Sequence, residues 1–134
     1  MKTILYTDGG CHGNANPDLS KRIMIVAVSD EAGNVLVDKT QEGGSNNIAE
    51  LLAVKEALMW CVTHNVDDLE LRTDSMNNLA WVDGRIGKKL NDRNAVLVIK
   101  SAIDALRLSV KLEMVWVPRE NNKAGHFIEE KYTL

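Results

Sequence analysis

With 134 residues, 45% of them hydrophobic and 26% charged, the chain has the length and apolar content of one folded domain, which excludes a disordered or low-complexity polypeptide. A formal net charge of −3 excludes a uniformly basic nucleic-acid coat, and an aromatic content of 4% leaves few rings for base stacking, so any contact to nucleic acid falls to polar side chains and backbone. Cys11 and Cys61 stand far apart without a CxxC pairing, which excludes a disulfide scaffold and a structural zinc site and fits a reducing cytoplasm.

The first apolar run, Ile4 to Tyr6, predicts a short buried strand closed by a turn at Asp8-Gly9-Gly10. Runs at Ile23–Val28 and Val35–Val37 flank Asp30, Gly33 and Asn34, so the chain is expected to open as a three-strand antiparallel meander. Gly43 to Asn47 then break the pattern and offer helix caps, and Leu51, Val54, Leu58, Cys61 and Val62 recur at the spacing of a helix of about four turns. Leu69, Leu71 and Thr73 alternate with Glu70 and Arg72 as a strand running into Asp74-Ser75. Ser75 caps a short helix that reaches Trp81 and stops at Gly84 and Gly87. A longer helix carries Ala95, Ile99, Ala102 and Leu106, a fifth strand carries Val110 to Trp116 up to Pro118, and a last helix covers Lys123 to Tyr132. Trp60, Trp81 and Trp116 read as core.

Strands separated by helices add in parallel, so the order predicts an α/β fold with a mixed five-stranded sheet, antiparallel first and parallel later, in one domain over residues 1–134. No apolar run approaches the roughly 18 residues of a membrane span. A cytoplasmic monomer without membrane association is expected.

Ligand sites in such sheets lie outside the carboxyl ends of the parallel strands, where Asp8 and Asp74 fall. Glu50 opens the helix after Asn46-Asn47, where the helix dipole favours a carboxylate and where the side chain can face back to the strand ends. Three carboxylates at one point repel one another, and a divalent cation with a taste for oxygen ligands, such as Mg²⁺, is the usual compensation.

Three segments, YTDGGCHGN (Tyr6–Asn14), NNIAELLAVKEAL (Asn46–Leu58) and LRTDSMNNLAWV (Leu71–Val82), resemble the ribonuclease H type 1 family in order and spacing, in the short prokaryotic-type form without a basic insertion. The resemblance implies the ribonuclease H-like fold and a metal-dependent endonuclease that hydrolyses the RNA strand of RNA/DNA hybrids, leaving 5′-phosphate and 3′-hydroxyl ends. It makes Asp8, Glu50 and Asp74 the catalytic acids that hold two Mg²⁺ ions, or Mn²⁺, about 3.5–4 Å apart astride the scissile phosphate. It also implies that Asn14, Ser45, Asn46 and Asn47 touch the two strands of the hybrid, through groups able to read phosphates and a 2′-hydroxyl. A basic stretch, Arg85, Lys88, Lys89, Arg93 and Lys100, either grips the DNA strand or is a solvated face.

The chain departs from the family near its end. Trp116-Val117-Pro118-Arg119-Glu120-Asn121-Asn122 resembles the short version of the loop, which lacks the family's histidine, and His126 falls where the fourth carboxylate is expected. Imidazole suits Mn²⁺ better than Mg²⁺, so His126 as a catalytic residue implies a Mn²⁺ preference, with Glu129 one turn later as a substitute. A hybrid-binding module with weak or no catalysis is the alternative that this altered position raises. An exonuclease of the same fold is less well matched, since its DxE first motif is absent at Asp8-Gly9-Gly10.

Overall fold

Continuous runs buried on both faces build two long strands, β1 (Thr3–His12) and β2 (Ile23–Asp30), paired antiparallel from Leu5↔Asp30 to His12↔Ile23. The computed structural model describes residues 2–132; Met1, Thr133 and Leu134 of the expected 1–134 domain lie outside it. β3 (Val35–Glu42) returns antiparallel to β2 through a turn in which Asp30 Oδ1 accepts from the Asn34 N–H at 2.8 Å and Gly33 adopts φ 88°. β4 (Asp68–Thr73) lies parallel to β1, and β5 (Lys111–Trp116) parallel to β4, so the sheet order is β3-β2-β1-β4-β5. Parallel neighbours need long crossovers. Helix α1 (Asn46–Thr63) supplies one, and α2 (Met76–Val82) with α3 (Arg93–Leu106) supplies the other. The last helix, α4 (Lys123–Tyr132), packs back on the opposite face. This is the mixed five-stranded sheet that the order of apolar runs predicts.

The two faces of the sheet are covered unequally. On one, α1 buries Ile48, Ala49, Leu51, Leu52, Ala53, Val54, Ala57, Leu58 and Cys61 against Leu5, Val26, Val28, Leu69 and Leu71. On the other, Ala124 and Ile128 of α4 pack on Tyr6, Ile25 and Ala27. Ser45 starts α1 by accepting from the Ile48 N–H at 3.2 Å, as a serine cap should. Among the described residues no helix is long and apolar enough to cross a membrane.

The end of β1 differs from expectation. Asp8, Gly9 and Gly10 do not turn; the strand runs straight through them, paired with Ala27, Val26 and Ile25. What ends is the pairing on the other side, because β1 and β4 part company after Tyr6↔Arg72. Asp8 therefore sits in mid-strand, held by β2, at the mouth of the gap that opens beyond the carboxyl end of β4. Gly9 serves close approach: a Cβ there would overlap the backbone of Ala49 and Glu50.

The tryptophans divide. Trp81 is in the core at 6% exposure, and Trp60 is half-buried and stacked on His64, ring centroids 4.2 Å apart. Trp116, expected in the core, is 48% exposed, because β5 is an edge strand. Its indole N–H donates to the Asp74 carbonyl at 3.3 Å.

Candidate active site

Three elements deliver the acids to one point. β1 presents Asp8, buried at 2% exposure. The turn after β4 presents Asp74, held by the Val117 N–H on the Thr73 carbonyl at 2.9 Å and by Thr73 Oγ1 accepting from the Ser75 N–H at 3.0 Å. α1 presents Glu50 from its first turns, brought against β1 by the bare Gly9. One ligand oxygen from each of Asp8, Glu50 and Asp74 lies within 4.8 Å of the others. The structure thus brings together all three acids that the motifs single out.

The charges are only partly compensated. Burial pushes the Asp8 carboxyl up to about 6, with the Arg119 guanidinium pulling down and Asp74 pushing up. Burial likewise raises Glu50 to about 7, opposed by the Ser75 hydroxyl and reinforced by Asp8 and Asp74. Asp8 Oδ1 is buried without a hydrogen-bond partner. A buried carboxylate oxygen with nothing to accept from, beside two further carboxylates, is a donor set of hard oxygens that fits a divalent cation.

A pH dependence follows. In the folded protein the two acids keep their protons up to about pH 6 and 7, whereas the unfolded chain releases them near pH 4. The native state binds more protons in that window, so stability falls as pH rises through it. The metal-free protein is expected to melt several degrees lower at pH 8 than at pH 5, Asp8 alone accounting for about 1 kcal/mol over that interval and Glu50 for more. Melting curves in EDTA across this range check the sign, and a flat or rising Tm contradicts it. Saturating Mg²⁺ at pH 8 should recover most of the loss.

Two residues that the sequence does not single out complete the site. Arg119, in a single 3-10 turn (Arg119–Asn121) after Pro118, donates from Nη1 to Asp8 Oδ2 at 2.6 Å and to Asp74 Oδ2 at 3.1 Å. Its Nε donates to Glu129 Oε1 at 3.1 Å. Although desolvation works against its charge, the Asp8 carboxylate beside it keeps the guanidinium firmly protonated. Asn122, fully buried, donates from Nδ2 to the Thr7 carbonyl at 3.0 Å and to Asp74 Oδ2 at 3.3 Å, while Oδ1 accepts from the N–H groups of Ala124 and Gly125. One side chain so caps α4 and pins it to β1 and to Asp74. A paired asparagine before an apolar-periodic helix is the sequence signal for the cap. Arg119 has no such local signal.

The structure leaves His126 outside the acid cluster. Its side chain is exposed and lines a separate groove of about 380 Å³ with Tyr6, Arg72, Val117, Glu120, Asn121 and Lys123. The α4 residue that faces Asp8 is Gly125, whose missing Cβ would lie 3.2 Å from Asp8 Oδ2. His126, expected at a fourth catalytic position, stands one step along α4 from Gly125, and one such step turns a side chain by about 100°. Glu129 reaches the cluster only through Arg119.

The substrate-contact candidates form one exposed polar rim. Asn14 Oδ1 accepts from the Asn46 N–H at 2.9 Å, which joins the loop after β1 to the start of α1, and Ser45 and Asn47 flank that contact. Arg22 braces the same two loops by donating to the Asn16 and Gly44 carbonyls at 2.7 and 2.9 Å. Of the basic stretch, Arg85, Lys88 and Lys89 are exposed between α2 and α3, whereas Lys100 is paired with Asp104 at 2.7 Å.

The arrangement can be set beside known proteins. A ribonuclease H1 from the halophilic archaeon Halobacterium salinarum superposes with a TM-score of 0.70 at 22% identity, over 95% of this chain and 93% of that one. LC11-RNase H1, isolated from compost by a metagenomic approach, superposes with a TM-score of 0.68 at 26% identity, over 95% and 91%. A structure of LC11-RNase H1 in complex with an RNA/DNA hybrid superposes with a TM-score of 0.61 at 27% identity, over 89% and 87%. No match is found among curated proteins. The RNase H family model matches residues 1–126, a span that contains all five strands, the three clustered acids and Asn122. By fold, by that match and by the acids gathered beyond the end of β4, the chain belongs to the RNase H family and is a ribonuclease H enzyme.

Proposed function

We propose that the protein hydrolyses the RNA strand of RNA/DNA hybrids endonucleolytically, leaving 5′-phosphate and 3′-hydroxyl ends, with Mg²⁺ or Mn²⁺ as cofactor and room for two ions. The observation that carries the reading is the convergence of Asp8, Glu50 and Asp74 within 4.8 Å around an unpartnered buried carboxylate oxygen. The hybrid complex of LC11-RNase H1, at 27% identity, supports the substrate.

Asp8, Glu50 and Asp74 would hold the cations. When bound, divalent ions lower the pKa of an attacking water and neutralise charge on the leaving 3′ oxygen. The chain's own part is to set the donors on rigid elements, a central strand, a strand end and a long helix, so that they need little rearrangement. No side-chain nucleophile is required. Asn14, Ser45, Asn46 and Asn47 line the rim next to Glu50, where short polar side chains can meet phosphate or a 2′-hydroxyl. The all-oxygen donor set leaves no imidazole to bias the site toward Mn²⁺. The binding-only alternative drew on His126 in the fourth position, and the three-acid cluster forms without it.

Labelled hybrid, duplex DNA and single-stranded RNA, each incubated with Mg²⁺ or Mn²⁺, test the reading. Cleavage confined to the RNA of the hybrid and abolished by EDTA is expected. Efficient cutting of duplex DNA, or undiminished activity in EDTA, would sink it.

A further inference from the structure

Arg119 lies in an unusual place for a solvent-reaching arginine. Its Nη1 bridges Asp8 Oδ2 and Asp74 Oδ2, two of the three oxygens' owners in the cluster, while the rest of the side chain remains 44% exposed. The space it uses exists because α4 carries a glycine there. A Cβ at position 125 would stand 2.8 Å from Arg119 Nη1 and 3.0 Å from its Cζ. Glycine inside a helix is unfavourable relative to alanine, so α4 gives up helical stability at the one position where a methyl would crowd the guanidinium. Glu129, one turn further along α4, holds the same guanidinium by Nε from the solvent side.

We propose that Arg119 is an internal counter-cation that occupies the space between Asp8 and Asp74 in the metal-free protein and is exchanged for a divalent ion on loading, with Glu129 retaining it at the rim of the site. The inference rests on the metal-site reading above and adds a competition to it. A guanidinium and a divalent ion cannot both lie against the same two oxygens, since like charges at that separation repel strongly. Displacing Arg119 lowers the apparent affinity for the ion. The displaced group does not leave, because its Nε is already on Glu129 and its Nη donors then face outward. The backbone phosphate of a bound strand is the anion best suited to receive them, by the paired geometry that guanidinium and phosphate share. Metal loading and substrate binding thereby favour one another through a single side chain, and Arg119 acts as a positioning residue in both states.

Calorimetric titration with Mn²⁺ alone, without nucleic acid, reads the competition directly. Arg119→Ala and Arg119→Gln are expected to bind Mn²⁺ at least about tenfold more tightly than wild type, with Arg119→Lys between them. Gly125→Ala, which keeps the arginine but crowds it out, should shift affinity the same way. In EDTA, Arg119→Ala should melt below wild type, and saturating Mn²⁺ should raise its Tm by more than it raises that of wild type. Equal or weaker Mn²⁺ binding by the alanine, glutamine and Gly125→Ala variants would overturn the exchange. A merely structural arginine predicts weaker binding by all of them. Tighter Mn²⁺ binding by variants of a protein that cleaves no hybrid would uphold the exchange while refuting the proposed reaction, and normal cleavage with unaltered Mn²⁺ binding would do the reverse.

Discussion

Asp74→Asn is expected to reduce hybrid cleavage by about a hundredfold to a thousandfold or more, the scale of losing one charge-stabilising group at a reacting centre. The fold should survive it. Asp74 sits half-buried in a turn whose backbone is held independently by Val117, by the Thr73 hydroxyl and by the Trp116 indole. An amide of the same shape retains an oxygen that can accept from Arg119 or Asn122, so Tm should change by no more than a few degrees. What the amide loses is the negative charge that, with Asp8 and Glu50, makes the cluster a cation site. Single-turnover cleavage at saturating Mg²⁺ alongside a melting curve separates the two effects. A variant that melts like wild type and cleaves at the wild-type rate would remove Asp74 from the site.

Gly9→Ala is expected to be the most destabilising small substitution in the protein, by about 3 kcal/mol or more, at or beyond the upper end of ordinary overpacking. Overpacking is usually relieved by flexible side chains, but here the added methyl meets the main chain at Ala49 and Glu50. Relief requires α1, an 18-residue helix carrying much of the core, to move off the sheet. Glu50 moves with it. A misplacement of about 1 Å at a catalytic group costs on the order of a hundredfold in rate, so activity should fall even in conditions where the variant stays folded. Gly87→Ala is the control: its Cβ meets nothing within 4 Å, and its effect on Tm should be small. Equal melting temperatures for the two variants would show that α1 does not press on Gly9.

Much of this architecture is legible in the sequence because the burial pattern is simple. Strands buried on alternate or both faces and helices with one apolar stripe produce periods that name the element, and the order of elements then limits the sheet to few topologies. The acids Asp8, Glu50 and Asp74 are legible because each stands at the end of an apolar run or just after a helix cap in the letters, although Asp8 lies in mid-strand in the fold. Gly9 is misread for a physical reason. A glycine supplies positive φ in a turn and bare surface for a close approach, and the letters alone do not say which. Trp116 is misread because alternation along a strand shows which residues share a face, not whether a helix covers that face at the sheet edge. His126 and Gly125 differ by one helical step, too fine a distinction for spacing alone to resolve. Arg119 is invisible locally, since its partner Asp8 lies 111 residues away.

That same separation governs when in its own synthesis the protein can work. The strands of the meander β1–β3 pair with near neighbours in sequence, but Asp8 meets Arg119 across 111 residues and Thr7 meets Asn122 across 115. Contacts that distant in sequence form late, after the entropy of closing the intervening chain has been met. A nascent chain emerging at roughly 5–20 residues per second exposes its first acid seconds before the last parts of the site exist. Until α4 docks, Asp8 has neither its guanidinium partner nor the cover of Gly125, and Asp74 lacks the amide of Asn122. The finished geometry of the acids is thus a property of the whole tertiary structure, reached only when the last part of the chain has joined the first.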